Sequence, residues 1–117
     1  MISYHKQLVS TLNTILPTHY ELVLHRGLDI PCISYMLLND ASTAKGNTLE
    51  YSRIQYQIKV WGNRIDEIEN YALAIDKALR PLGWTRISCK ELHDRESAMI
   101  QKILTYECLA LEQFNNY

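Results

Sequence analysis

The chain has 117 residues, of which 47% are hydrophobic and 21% are charged, and its formal net charge is -1. This composition is typical of a globular domain and excludes a disordered chain, while the near-neutral charge argues against binding nucleic-acid backbones through a basic surface. No apolar run is long enough to span a membrane, and no signal peptide is recognisable at the N-terminus. We therefore expect one domain, residues 1–117, that is made and kept in the cytoplasm.

The first third of the chain predicts a helix followed by two short strands. Apolar residues recur at helical spacing over residues 2–16, and Pro17 ends this helix because a residue before proline is disfavoured in the helical conformation. Residues 20–25 predict a strand. Pro31 precedes a second strand over residues 32–38, since proline is tolerated where a strand begins.

The segment over residues 39–50, NDASTAKGNTLE, has neither a helical nor a strand period and is rich in turn formers. Its side chains offer little apolar area to offset the entropy of a fixed conformation. We therefore predict a long loop that is mobile in the free protein and becomes ordered on a partner.

The stretch YSRIQYQIKVWGN, residues 51–63, has the clearest pattern in the chain. Small or apolar residues alternate with Arg53, Gln55, Gln57 and Lys59. A period of two predicts a strand with one face on a core and one polar face.

A second helix is predicted over residues 63–80, with Asn63 as its N-cap. Two further strands, residues 84–92 and 99–111, flank a charged turn over residues 93–97 and form a hairpin. Two helices cannot cover both faces of five strands. The sequence thus predicts an α+β fold, a single antiparallel-rich sheet with both helices on one face, in the order helix-strand-strand-strand-helix-strand-strand.

No constellation of catalytic, cofactor-binding or metal-binding residues stands out. The four histidines lack metal-ligand spacing, and the four glycines stand singly, which excludes a glycine-rich phosphate loop. Cys32, Cys89 and Cys108 are too far apart for a zinc motif and are interpreted as reduced, apolar residues. We predict a protein that is not an enzyme and binds no cofactor and no metal.

One stretch keeps an enzymatic alternative open. QIK, residues 57–59, resembles the strand signature of metal-dependent nucleases, in which an acid and a lysine lie two residues apart. Gln57 replaces the acid, and an amide lacks the negative charge that a hard divalent cation prefers, although Asp29 or Glu50 remains as another ligand. A small phage nuclease, whose cleavage Lys59→Ala would abolish, is one alternative. A monomeric α+β module that binds a small ligand is another.

The order of elements, with the phrases CISYMLL, YSRIQYQIKVWGN, LGW and MIQKILTYECL, resembles the tail terminator proteins of long-tailed bacteriophages and prophages. These are also called tail completion or head-tail joining proteins, and the resemblance covers residues 2–111. It implies a structural, non-enzymatic protein without catalytic or cofactor residues. Such a protein forms a hexameric ring that caps the tail tube and presents a docking surface to the head connector.

The resemblance also implies partners and a location. The partners would be further copies of the chain, the major tail tube protein, and head completion or connector proteins, with neither a membrane nor a specific nucleic acid. DNA would pass through the lumen of the ring. The protein would be found in the virion, at the head-tail junction, after assembly in the host bacterial cytoplasm.

The polar strand face and the predicted loop are the expected contact surfaces for subunits or partners, although polar residues facing solvent are also the default for an antiparallel sheet. The predicted contact residues are Arg53, Gln55, Gln57, Lys59, Asp40, Lys45 and Asn47.

Overall fold

The structure is a computed structural model that describes residues 4–20, 29–45 and 49–113, with the backbone alone for 40–45, 49–52 and 110–113. The order of elements is the predicted one, with a short 3-10 turn after the second helix. The elements are α1 (Tyr4–Asn13), β1 (Thr18–Tyr20), β2 (Cys32–Lys45), β3 (Leu49–Gly62), α2 (Ile65–Leu79), β4 (Thr85–His93) and β5 (Ile100–Gln113).

The five strands form one sheet in the order β1-β2-β3-β5-β4. β1 is parallel to β2, and the other neighbouring pairs are antiparallel. The predicted antiparallel-rich α+β sheet is therefore confirmed. β3 is the central strand, and its Ile58 lies between Tyr35 of β2 and Leu104 of β5.

Both helices pack on the same face of this sheet, as predicted. On β3, Tyr56, Ile58 and Val60 are buried in the core. Facing them, α2 contributes one apolar stripe at helical spacing, and α1 contributes a shorter stripe. These helical core residues are Leu8 and Leu12 of α1, and Ile68, Ala72, Ile75 and Leu79 of α2.

The helix α2 begins two residues later than predicted. Arg64 is the N-cap residue, with extended backbone angles and no capping hydrogen bond from its side chain, so the prediction of Asn63 as the N-cap is wrong. Asp66 and Glu67 lie in the first turn, where carboxylates favour the positive end of the helix dipole. After the turn Arg80–Leu82 the chain reverses at Gly83, which has a φ of 97°.

The predicted loop over residues 39–50 is wrong for the part that the structure describes. β2 continues to Lys45 and β3 begins at Leu49, and their residues pair one by one from Asn39 and Gln55 to Lys45 and Leu49. The reason is that backbone hydrogen bonds between strands hold this hairpin without needing an alternating apolar pattern. Residues 46–48 lie outside the described residues.

Other boundaries differ by smaller amounts. The first strand begins at Thr18, not at residue 20, and residues 21–25 of its predicted range lie outside the described residues. The hairpin strands β4 and β5 are each displaced from their predicted ranges by one or two residues. The turn between them is closed by a hydrogen bond of 2.8 Å from the backbone N–H of Asp94 to the carbonyl of Met99.

Three strands extend past the outer strands of the sheet. β1 pairs with β2 only over Ile33 to Tyr35, and β4 pairs with β5 only as far as Glu107. Beyond those pairs, residues 40–45, 49–54 and 108–113 form a three-stranded extension, called the arm below. The molecule is correspondingly elongated, with extents of 54 × 23 × 22 Å.

Candidate assembly interface

The sheet face opposite the helices, called the open face below, carries the predicted polar row of β3. Arg53, Gln55, Gln57 and Lys59 alternate with residues of the helix-covered face, and each is partly or fully exposed. The alternation of a strand thus brings four of the seven predicted contact residues onto one surface.

Glu107 of β5 organises one end of this row. It lies opposite Gln55, whose Nε2 donates a hydrogen bond of 2.9 Å to Glu107 Oε1. The Nε of Arg53 lies 3.3 Å from the same oxygen. The side chain of Arg53 is nevertheless 59% exposed, so most of its guanidinium remains accessible to a partner.

At the other end of the row, Lys59 lies beside an aromatic ring. Its Nζ is 5.7 Å from the centroid of the Trp61 ring. The indole Nε1 of Trp61 donates a hydrogen bond of 2.8 Å to Oγ of Ser34, a fully buried hydroxyl. This hydrogen bond holds the indole ring in place beside Lys59. A cation–π contact of this kind is worth about 0.5–1 kcal/mol at an exposed site.

The surroundings of QIK do not assemble a metal site within the described residues. Gln57 lies between Met36 and Thr105, neither of which is an acid. Glu50 is seven residues away along β3, which corresponds to roughly 23 Å of strand. Among the described residues, no three His, Cys, Asp or Glu side chains are placed to hold a metal ion. The strand pairing therefore places no acidic residue directly opposite Gln57.

The other predicted contact residues lie apart from the open-face row. Asp40 and Lys45 belong to β2 within the arm, where their backbones pair with Ile54 and Leu49. Asn47 lies outside the described residues. The arm therefore replaces the predicted loop as the location of Asp40 and Lys45.

Glu107 and Trp61 are parts of this surface that sequence reasoning missed. The period of two along β5 places Glu107 on the side opposite the buried Tyr106 and Cys108, and this signal was readable. Its contact with Arg53 and Gln55 was not readable, because it depends on the register between strands 52 residues apart.

No helix within the described residues is long and apolar enough to cross a membrane. No protein-family model matches the sequence, and no curated protein matches it. Among solved structures, the chain is similar to a chain of the virion of a native gene transfer agent particle. The TM-score is 0.68 at 14% sequence identity, and the match covers 95% of this chain and 87% of that chain. At this identity the similarity shows that the two chains share a fold.

Proposed function

We propose that the chain is a structural protein of a phage-like virion, and specifically a tail terminator. The observation that carries this proposal is the shared fold with a chain of the virion of a native gene transfer agent particle. The match extends over 95% of this chain and 87% of the other, so it concerns whole domains and not a common substructure.

The sequence resemblance to tail terminators supports the same conclusion independently. It rests on the order of elements and on the strand-to-helix phrase of residues 51–63, and the structure has that order. In the proposed function the chain forms a hexameric ring that caps the tail tube and matches its symmetry.

The open face is suited to contacts that form late in assembly. Its polar groups are partly satisfied within the chain, as the contacts of Arg53 and Gln55 with Glu107 show. A polar surface of this kind keeps the free protein soluble and still offers hydrogen bonds and charges to a partner. We assign Arg53, Gln55, Gln57 and Lys59 to subunit contacts or to the ring lumen.

The proposed partners are further copies of the chain, the major tail tube protein, and the connector proteins of the filled head. The arm, with Asp40 and Lys45, extends beyond the strands β1 and β4 and offers a second contact surface. The role requires no catalysis, so we propose a non-enzymatic protein at the head-tail junction of the virion.

The proposal is tested by assembling tails with and without the chain. Without it, tail tubes should grow past their normal length and should fail to join heads. Adding the purified protein should place a ring at the tube end in electron micrographs. Light scattering of the purified protein measures the mass of its oligomer and so gives the number of copies. Tubes of normal length that join heads without the chain would refute the proposal, as would a purified protein that does not bind its cognate tube.

A further inference from the structure

Exposed aliphatic side chains on α2 form a stripe with one acid between them. Ile65 is 41% exposed and Leu73 is 64% exposed, and Glu69 lies midway between them. Residues four apart neighbour each other on a helix, so the three side chains form one line about 12 Å long. We call Ile65, Glu69 and Leu73 the α2 stripe.

The edge strand β4 presents a second surface of the same kind but of opposite charge. All of its nine residues are exposed. Leu92 is 52% exposed, and Lys90 lies two residues before it on the same face, opposite Ile103 of β5. The two residues are about 7 Å apart along the strand. We call Lys90 and Leu92 the β4 patch.

Some of the other charged residues on these two elements have partners within the chain. Glu91 of β4 lies 2.9 Å from His93 and 3.6 Å from Lys102. The hydrogen bond from His93, followed by the charge of Lys102, lowers the pKa of Glu91. On α2, Asp66 is paired with Arg64 at 3.3 Å.

Glu69 and Lys90 differ from these residues. Within the part of the chain that the structure describes, neither one takes part in an ion pair. Each is exposed and has an exposed leucine beside it on the same surface, Leu73 for Glu69 and Leu92 for Lys90. The two surfaces therefore combine apolar area with single charges of opposite sign, which is the complementarity expected of an interface.

The two surfaces cannot meet within one chain. Lys90 lies opposite Ile103 of β5, whose neighbour Leu104 is buried under the helices. Because successive residues of a strand point to opposite faces, Lys90 lies on the open face, away from α2. A contact between Glu69 and Lys90 therefore requires a second molecule.

We propose that the α2 stripe of one copy docks on the β4 patch of the next copy. This inference rests on the proposed ring, for which it names the subunit contact. Since the two surfaces are different, the contact is head-to-tail, and repetition closes a ring when the rotation between copies allows it. Glu69 and Leu73 are about 6 Å apart along the helix, and Lys90 and Leu92 are about 7 Å apart along the strand, so the two charges can pair while the two leucines pack.

Charge exchange tests the contact. Glu69→Lys and Lys90→Glu should each weaken ring formation on tail tubes about tenfold or more, because like charges then face each other. The double variant Glu69→Lys/Lys90→Glu should restore assembly, since every contact again pairs opposite charges. Glu67→Lys, on another side of α2, and Arg95→Glu, in the β4–β5 turn, are the matched controls and should assemble normally. Thermal unfolding of each variant establishes that it is folded.

Disulfide cross-linking of the purified protein, with and without tail tubes, tests the geometry. In a Cys89→Ser background, which removes the exposed native thiol, Leu73→Cys/Leu92→Cys should give a ladder of oligomers longer than dimers under oxidation. Each single cysteine variant should give none. Dimers alone would overturn the head-to-tail contact.

If the wild type caps tubes but the charge variants assemble normally and no ladder forms, the contact is wrong and the tail-terminator function stands. If the ladder forms but the wild type does not cap tubes, the function is wrong and the contact stands.

Discussion

The hydroxyl of Tyr106 on β5 donates a hydrogen bond of 3.0 Å to Oδ1 of Asp76 on α2, and so joins the sheet to the helix that covers it. Tyr106 is fully buried. The second oxygen of Asp76, Oδ2, accepts a hydrogen bond of 2.8 Å from Nε of Arg80. The polar end of a buried aromatic side chain is thereby satisfied by a carboxylate near the end of α2.

Tyr106→Phe should lower the free energy of unfolding by about 1–2 kcal/mol, because it removes a hydrogen-bond donor to a charged acceptor and keeps the shape of the ring. Urea unfolding measures the change. Arg80→Ala is the control, since it removes the more exposed partner of Asp76 and should cost less than about 1 kcal/mol. A larger loss for Arg80→Ala than for Tyr106→Phe would contradict this account of the helix-sheet contact.

The contribution of Tyr106 to the free energy of unfolding should decrease at alkaline pH. Burial, and then the hydrogen bond to Asp76, raise the pKa of Tyr106 above its ordinary value. A raised pKa means that the folded state favours the protonated phenol. Its contribution is therefore fully present below the unfolded-state pKa of about 10, and is lost as the pH rises from there towards the folded-state pKa.

The measurement is the difference in unfolding free energy between the wild type and Tyr106→Phe, obtained at about pH 8 and about pH 11. The difference should be smaller at the higher pH, because only the wild type loses stability through this group. A difference that stays constant between the two pH values would mean that the folded-state pKa is not raised.

Gly62 permits the close approach of β3 and α2. A Cβ at this position would lie 3.0 Å from Cγ1 and 3.1 Å from Cδ1 of Ile68. Gly62→Ala should therefore destabilise the fold by about 1–3 kcal/mol through overpacking. Adding Ile68→Val, which removes Cδ1, should cost less in the Gly62→Ala background than in the wild type. Equal costs in the two backgrounds, measured by urea unfolding, would show that the two positions do not interact.

The sequence predicts those helices and strands in which one side packs on the core, because their apolar residues then recur at a regular spacing. Tyr56, Ile58 and Val60 are readable as a strand because each is buried under the helices. The strand from Asn39 to Lys45 is not readable in this way, because pairing with β3 holds it and no alternation of apolar residues marks it. Local propensity therefore predicted a loop where a neighbouring strand decides the structure.

The candidate interface is also predictable from the sequence only in part. The sequence places Arg53, Gln55 and Lys59 on one face, since that needs only the period of a strand. It does not reveal Glu107 as the partner of Arg53 and Gln55, because that contact depends on the pairing of β3 with β5. Local patterns thus predict which residues share a surface, and tertiary pairing determines which of them interact.

Reversing the charges of Arg53 and Lys59 should affect assembly more than folding. Arg53 is 59% exposed, and exposed ion pairs contribute about 1 kcal/mol or less. Arg53→Glu/Lys59→Glu should therefore unfold at nearly the wild-type temperature and give fewer joined virions. The control Lys77→Glu/Arg95→Glu makes the same change of charge on other exposed surfaces. Arg53→Gln is a milder variant that places no acid beside Glu107. If Arg53→Gln and the charge-reversed double variant were both unfolded, these residues would be required for folding and the prediction would be wrong.

Replacing residues 41–47 with a short glycine-serine link should destabilise the arm, whereas removal of a true loop would cost little. The replacement deletes the whole β2 segment that pairs with Leu49 to Arg53 of β3. Amide hydrogen exchange of Arg53 and Ile54 should therefore become faster, since one of the two strands beside them loses its end. Val60, at the helix-covered end of β3, is the internal control and should keep its protection. Unchanged exchange at Arg53 and Ile54 would mean that pairing with β5 alone holds this part of β3, so that the extension of β2 contributes nothing to its stability.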